Sequence, residues 1–437
     1  MLLKFKEHIE KEFPELVHDH FLIACSGGLD SMVLTHLCYG SKLKFSIAHC
    51  NFRLRGSASD GDEIFVEQFA ASIDSALYVT HFDTLGYVNQ HKVSVQMACR
   101  DLRYTWFDQL LKQHKIPYLL TAHHANDNLE TFLINLSRGT GIDGLTGIPQ
   151  KLNHLRRPLL PFSREELEAY AKTENLSWRE DASNADTKYL RNKIRLEIIP
   201  RLQELHPSFL ANFQNTQDYL NQTKILSDQY LKQLKEELFI SENGKFRISL
   251  ESLTTFAPLD AILYGLFNEY GFTEWENVLD LLNAMSGKQL MSKTHILLKD
   301  RESLWLAPYD VNAGELEEYE IDESQNTLNA PIKLNIKPVK ERSENSTNEI
   351  FVQKESLTYP LVVRKWKKGD YFHPLGFIGK KKLSKYFKDV KMNLLEKEEQ
   401  WLLCSNNQIV WVIGKRADRR FKVDESSQNI VKIELIK

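Results

Sequence analysis

The sequence predicts an α/β chain in four parts. A parallel-sheet domain covers residues 1–200, a helix-rich middle domain 201–314, a linker region 315–349, and a small C-terminal domain rich in β-strands 350–437. Three observations carry this reading. Residues 1 to about 150 alternate short apolar runs with longer helical patterns, as βαβ units with a parallel sheet covered on both faces do. Past residue 196 the apolar spacing is helical, and from about residue 350 it turns to short strands.

The totals agree with a folded, soluble protein. At 437 residues, with 42% hydrophobic and 11% aromatic content, the chain can bury a large core. Its net charge of −3 conceals local asymmetry. Cys25, Cys38, Cys50, Cys99 and Cys404 are scattered with no C-x-x-C pair, which argues against a disulfide framework, a zinc ribbon or an iron–sulfur site. The start, Met1 to Glu10, alternates charged and apolar residues and lacks the continuous apolar core of a signal peptide. No run reaches transmembrane length, so the expected location is the cytoplasm, with no membrane partner.

Strands are expected at Phe21–Cys25, Phe45–His49, Leu77–Phe82 and Tyr118–Thr121, and helices near 31–40, 60–73, 94–115 and 126–138. In such sheets ligands lie beyond the carboxyl ends of the strands. The first strand runs into Cys25-Ser26-Gly27-Gly28-Leu29-Asp30-Ser31 and then a helix. That turn aims free helix N–H groups and the positive dipole end at one spot. Gly27 and Gly28 admit an anion close to the backbone, and Ser26 and Ser31 add hydroxyls. Asp30 suits such a phosphate cradle if a divalent cation lies between, which makes it a candidate magnesium ligand. The plainer reading is a glycine turn with Ser and Asp caps. The lysine of a G-x-x-x-x-G-K-[ST] loop is absent.

After the second strand, Arg53 and Arg55 lie in a Gly/Ser/Asp-rich loop that suits either phosphate contact or a solvated helix cap. Arg100 and Arg103, three apart beside Tyr104, form an exposed face or a basic pair facing phosphates or RNA. The fourth strand is followed by His123, His124, Asp127 and Glu130. Asp127 and Glu130 form a capping box, share a metal with the histidines, or act as a functional carboxylate pair. Arg138 precedes a glycine C-cap, within reach of a ligand.

Residues 196–240 read as helix broken once at Pro200, and 253–310 as a compact α-rich unit. There Thr273–Glu276 opens a helix with a capping box, and His295–Leu298 and Leu304–Leu306 are strand candidates. Glu315 to Glu323 is the preferred linker, and Gln408–Ile413 a strand of the last domain. Arg364 through Lys391 holds ten Lys/Arg against two Asp, interleaved with Trp366, Tyr371, Phe372, Tyr386 and Phe387. Cations neutralise phosphates and aromatics stack on unpaired bases, so this composition suits RNA; a solvated basic surface is the plainer alternative.

The S-G-G-x-D-S loop resembles that of the PP-loop ATP pyrophosphatases, which transfer AMP to a carbonyl-type oxygen and release pyrophosphate. Further motifs resemble one family among them, the tRNA(Ile)-lysidine synthases. They are R-x-x-R-Y (Arg100–Tyr104), H-H-x-x-D-x-x-E-T (His123–Thr131), L-x-R-G-x-G (Leu136–Gly141), Arg157–Leu160, Glu180–Asn184 and Arg191–Arg195. The K-x-G-D…P-x-G…K-K-L-S-K-Y-F stretch extends the resemblance to nearly the whole chain.

This resemblance implies ATP-dependent attachment of free L-lysine to C2 of the wobble cytidine of the isoleucine tRNA with a CAU anticodon. ATP is the co-substrate and Mg2+ the metal, and pairing into a homodimer is left open. It implies that Ser26, Gly27, Gly28, Leu29, Asp30 and Ser31 bind ATP, and that Asp30, Asp127 and Glu130 are catalytic. Arg100, Arg103, His123, Arg138, Arg191 and Arg195 would bind substrate; Lys367, Lys368, Lys380, Lys381, Lys382 and Lys385 would bind tRNA. The alternatives are another PP-loop tRNA modifier such as a thiolase, or a non-catalytic RNA-binding protein.

Overall fold

A computed structural model describes residues 1–179, 190–309, 318–341, 343–424 and 427–436, in two compact units, Met1–Asp228 and Gln229–Lys437. The Glu180–Asn184 motif lies outside the described residues.

The first unit opens with helices α1 (Leu2–Glu12) and α2 (Glu15–His18), then alternates strand and helix: β1 (Phe21–Ala24), α3 (Leu29–Gly40), β2 (Phe45–Asn51), α4 (Ser57–Ser72), β3 (Leu77–His81). Two helices follow, α5 (Thr84–His91) and α6 (Val95–His114), then β4 (Tyr118–Leu120) and α7 (Ala125–Arg138). The expected βαβ pattern is present with strand ends within about two residues of expectation. Next come α8 (Ile142–Leu145), the short strands β5 (Lys151–Leu152) and β6 (Leu155–Arg156), and α9 (Arg164–Thr173). Helix α10 (Leu190–Lys193) runs through a π-helical turn (Ile194–Ile198) into α11 (Ile199–Leu205), and α12 (Phe209–Leu238) is thirty residues long.

The sheet order is β3-β2-β1-β4-β6-β5, parallel except for the β5–β6 edge pair. Strand β1 sits centrally because both its faces are apolar. Phe21 and Ile23 pack among Phe5, Phe13, Val33 and Leu37, while Leu22 packs on the other face with Phe107, Leu110 and Leu119. Such two-sided burial reads in sequence as a continuous apolar run. The chain moves to opposite sides of β1 for β2 and β4, so β1 lies at the topological switch point, where a crevice opens beyond the strand ends. The carboxyl ends of β1 and β4 are therefore neighbours.

The second unit holds more strand than the sequence suggested. Its middle region packs α13 (Leu250–Leu253), α14 (Leu259–Phe267) and α15 (Trp275–Asn283) with a five-stranded antiparallel sheet. That sheet is built from β7 (Ile240–Glu242), β8 (Lys245–Ser249), β9 (Gln289–Met291), β10 (His295–Asp300) and β11 (Ser303–Pro308). The capping box expected at Thr273 is absent, because α15 begins one residue later with Glu274 as its N-cap.

The stretch 315–349 is not a linker where it is described. It contributes β12 (Glu318–Ile321), β13 (Thr327–Leu328) and β14 (Lys333–Val339), and leads into β15 (Glu349–Gln353). Ile321, Leu334 and Ile336 are core residues beneath its polar surface composition. The remaining strands are β16 (Leu361–Lys365), β17 (Tyr371–Phe372), β18 (Lys381–Lys382), β19 (Trp401–Ser405), β20 (Gln408–Val412), β21 (Arg416–Ala417) and β22 (Ile430–Ile436). They complete two larger sheets, β12-β16-β19-β20-β21 and β13-β14-β22-β15, and the hairpin β17-β18. Helices α16 (Leu383–Asp389) and α17 (Leu394–Glu399) follow that hairpin.

Candidate active site

The loop after β1 is held in shape by its own serines. Ser31 Oγ accepts the Ser26 N–H at 3.2 Å and donates to the Gly28 carbonyl at 2.9 Å, and Gly28 N–H donates to Ser26 Oγ at 3.4 Å. Ser31 is buried, so its hydroxyl shapes the loop; the Ser26 side faces solvent. Gly27 has φ of +84°, and a Cβ there would lie 3.2 Å from Val66 Cγ2, so a side chain is excluded by both strain and space. Gly28 is the N-cap of α3, and its extended backbone leaves the first N–H groups of that helix facing the crevice. Gly27 O accepts the Arg179 N–H at 2.9 Å, which brings the segment after α9 against the loop.

Asp30, in the first turn of α3, meets the N-cap residue of α7 and a residue of α9. Its Oδ2 lies 3.6 Å from His124 Nε2 and 3.5 Å from an Arg164 guanidinium nitrogen, while its buried Oδ1 has no hydrogen-bond partner. His124 is the N-cap of α7, with its ring buried and 3.5 Å from Asp127 Oδ2. Asp127 Oδ2 in turn accepts the His124 backbone N–H at 3.1 Å. The capping reading is corrected in register: the box lies three positions earlier than expected, with His124 as N-cap and Asp127 as the residue reaching back, and Glu130 takes no part. Burial opposes charging of His124, but the Asp30 carboxylate and then Asp127 outweigh it and raise its pKa. Burial also opposes ionisation of Asp127, yet the two histidines hold its carboxyl below the usual range.

His123 turns elsewhere, with Nδ1 2.9 Å from Thr121 Oγ1. Burial lowers its pKa to about 4, so it is neutral at pH 7. The shared metal once open to the two histidines finds no support: among the described residues no cluster of three or more His, Cys, Asp or Glu is placed to hold an ion.

Glu130 is fully buried, and both its oxygens are occupied. Arg195 donates through Nε to Oε1 at 2.5 Å and through a terminal nitrogen to Oε2 at 3.1 Å, and Arg191 Nε lies 3.0 Å from Oε2. Burial pushes the Glu130 carboxyl up, with the Arg195 and Arg191 guanidiniums pulling against it. Arg195 also reaches Asp127 at 3.4 Å, and Arg191 donates to Thr131 Oγ1 at 2.7 Å. The two carboxylates expected to act as a pair thus differ: Asp127 lies against His124, the neighbour of Asp30, and Glu130 anchors two arginines.

Arg191 borders a cleft of about 820 Å³ between the β2–α4 loop, α6, α7 and α10. Arg55, Arg100, Arg103, Arg138 and Arg191 line it together with Leu54, Val95 and Ile134, and no carboxylate is among the lining residues described. Arg100 lies over the Tyr104 ring at 5.0 Å and Arg103 over Phe52 at 5.2 Å, which fixes both guanidiniums toward the cleft wall. The fold therefore gathers Arg100, Arg103, Arg138 and Arg191 from separate segments, with Arg195 behind them. Sequence reasoning passed over Arg164 beside Asp30, because one arginine in a capped helix start carries no local signal.

The basic stretch in the second unit is partly neutralised. Arg364 is buried in a two-bond pair with Asp370 at 2.8 and 3.0 Å, Lys367 pairs with Glu318 at 2.7 Å, and Lys381 pairs with Asp389. Lys368, Lys380, Lys382 and Lys385 are exposed. The stacking role expected for five aromatics is corrected: Phe372, Tyr386 and Phe387 are core residues and Trp366 packs edge-on against Phe387. Of the five, Tyr371 is exposed.

A parallel sheet with a glycine cradle at its switch point, and an acidic residue in the first turn of the next helix, defines a PP-loop ATP-utilising protein. A family model for the PP-loop domain matches residues 1–202, and models for the TilS substrate binding domain and the TilS substrate C-terminal domain match 241–309 and 361–435. A tRNA(Ile)-lysidine synthase of Parabacteroides distasonis is 36% identical over 94% of this chain and 94% of its own length. Those of Bacteroides thetaiotaomicron (34%, over 97% of each chain) and Porphyromonas gingivalis (37%, over 93% and 92%) are similarly related. The chain belongs to the tRNA(Ile)-lysidine synthase family. No helix among the described residues is long and apolar enough to cross a membrane.

Proposed function

We propose that this chain is a cytoplasmic ligase that spends ATP to join free L-lysine to C2 of the wobble cytidine in isoleucine tRNA with a CAU anticodon. The observation that carries the reading is the juxtaposition, at the carboxyl ends of β1 and β4, of the Ser26–Ser31 cradle with Asp30, Asp127 and the arginine cleft. Phosphates rest on the N–H groups at the start of α3, and tRNA and lysine approach from the cleft side.

The cytosine O2 attacks the α-phosphorus of ATP, forming an O–P bond as the bond to pyrophosphate breaks. The lysine ε-amine then bonds to C2, AMP departs with O2, and the amine loses a proton. That amine has a free pKa near ~10.4, so exposing its lone pair at pH 7 costs roughly 4–5 kcal/mol. Asp127, held ionised beside His124 and near Asp30, receives the ammonium and orients it for attack. Glu130 is a positioning residue, because both its oxygens already hold Arg191 and Arg195.

Magnesium fits Asp30, whose Oδ1 is buried and unpartnered, since this ion is commonly held by one or two carboxylates plus phosphate oxygens. It would supply charge neutralisation at the phosphates. Beside it, Arg164 and the α3 N–H groups face the charge that collects on pyrophosphate.

The thiolase alternative is disfavoured by the thiols, of which Cys25, Cys38 and Cys404 are buried and burial pushes Cys50 up to about 12. The test incubates the chain with ATP, labelled lysine and total tRNA. Lysine should enter one isoleucine tRNA at its wobble cytidine, with one pyrophosphate and one AMP released. ATP turnover without lysine incorporation, or sulfur incorporation, would overturn the assignment.

A further inference from the structure

The hairpin of β17 and β18 pairs Tyr371 with Lys382 and Phe372 with Lys381, and its connection runs out to an apolar tip. The base of that connection is pinned. His373 N–H donates to the buried Asp418 carboxylate at 2.8 Å, Arg419 N–H to His373 O at 2.8 Å, and Leu375 N–H to Ala417 O at 3.0 Å. An Arg419 guanidinium nitrogen reaches Phe377 O at 3.3 Å. Beyond these anchors Gly376 and Gly379 adopt φ of +82° and +108°, and between them Phe377 is 45% and Ile378 91% exposed.

Single apolar residues on a surface need no explanation. An adjacent pair on a pinned turn, bordered by Lys380, Lys381 and Lys382, is a different arrangement. Lys381 Nζ lies 5.3 Å from the centre of the Phe377 ring, and Lys380 Nζ lies 5.3 Å from that of Tyr371. Cations thus flank both exposed rings, so an anionic polymer carrying flat apolar faces matches the surface in charge and in shape. RNA has both features, with phosphates for the ammonium groups and a base face for the ring.

We propose that the Phe377–Ile378 tip is a stacking wedge for an unpaired or helix-end base of bound RNA, with Lys380 and Lys382 on the flanking phosphates. This rests on the reading of tRNA as substrate and adds a site to it. The wedge supplies the base contact that the buried Phe372, Tyr386 and Phe387 cannot supply. Because the turn is anchored below the tip, little ordering is needed on binding.

The test measures tRNA affinity of the full chain across a salt series, for Phe377→Ala, Phe377→Trp and Lys382→Ala, with lysine incorporation by the unaltered chain in parallel. Phe377→Ala should weaken binding roughly 5- to 150-fold, the range for losing one stacked base, with an unchanged salt slope. Lys382→Ala should flatten the slope by roughly 0.7–0.9. Phe377→Trp should retain affinity and show its emission quenched by RNA. Unaltered affinity in Phe377→Ala, unchanged tryptophan emission with RNA bound, or Phe377-dependent binding to anionic phospholipid vesicles would each overturn the wedge. Lysine incorporation intact beside an unaffected Phe377→Ala refutes the wedge alone, whereas no tRNA binding by the unaltered chain refutes both readings.

Discussion

Asp30 Oδ2 stands 3.6 Å from His124 Nε2, so the helix after β1 and the helix after β4 meet through one carboxylate and one imidazole. The contact spans 94 residues of sequence and exists because β1 and β4 are neighbours in the sheet. It leaves Asp30 Oδ1 without a partner in a buried position, an arrangement that costs stability unless a cation is bound there.

Asp30→Asn removes the charge while keeping shape. Pyrophosphate release should fall by at least ~100-fold, the scale for losing an electrostatic catalytic group, while the melting temperature stays the same or rises slightly. Magnesium titration followed by stabilisation of the protein should show a response in the unaltered chain and none in the variant. Near-normal turnover would remove the metal role.

The two carboxylates of α7 should separate cleanly. Asp127→Ala should raise the lysine concentration needed for half-maximal rate more than that of ATP, and should cost about 1 kcal/mol of stability through the lost bond to the His124 N–H. Glu130→Gln should instead cost about 1–3 kcal/mol, below the usual loss for a broken buried pair because Arg191 and Arg195 keep partial access to water. Its activity loss should appear in kcat and tRNA affinity together. Equal effects of both variants on lysine saturation would restore a paired role.

Acid should destabilise the first unit through His123. Its folded pKa is about 4, below the unfolded value of about 6.5, so the unfolded chain takes the proton first. The stabilisation is complete above about pH 6.5 and is lost as pH falls toward 4, by at most about 3 kcal/mol. His123→Gln should flatten the fall in unfolding free energy across that window. An unchanged profile would mean the ring is solvated.

Lysines of the C-terminal region should contribute unequally to RNA binding. Lys368, Lys382 and Lys385 are exposed, whereas Lys381 is engaged by Asp389 and Lys367 by Glu318. Alanine at each of the first three should reduce the log–log salt slope by roughly 0.7–0.9, and alanine at Lys367 or Lys381 by less. Equal slopes for all five would show that the ion pairs open on binding.

Local pattern was enough for the four parallel strands β1 to β4 and for the glycine turn after β1, but not for the short edge strands β5 and β6. Phe21–Ala24 is apolar at every position because both faces of β1 are covered, and a Ser-Gly-Gly turn before a helix has few other uses. These are interactions among residues close in sequence, or demands on a single strand, so the sequence by itself determined them. The path of the sheet, the partners of Glu130 and the orientation of the C-terminal aromatics were decided by the tertiary structure. Glu130 and Arg195 are 65 positions apart, and nothing near either one announces the other. Of the acidic stretch expected as a linker, the described part Glu318–Ile321 is strand because Ile321 enters a core shared with β16, β19 and β22. Composition recorded that aromatics and cations alternate between Arg364 and Lys391. Which rings face the core depends on the faces that neighbouring elements cover: Phe372 is buried and Tyr371 exposed because successive strand residues point to opposite sides, and one side alone is packed.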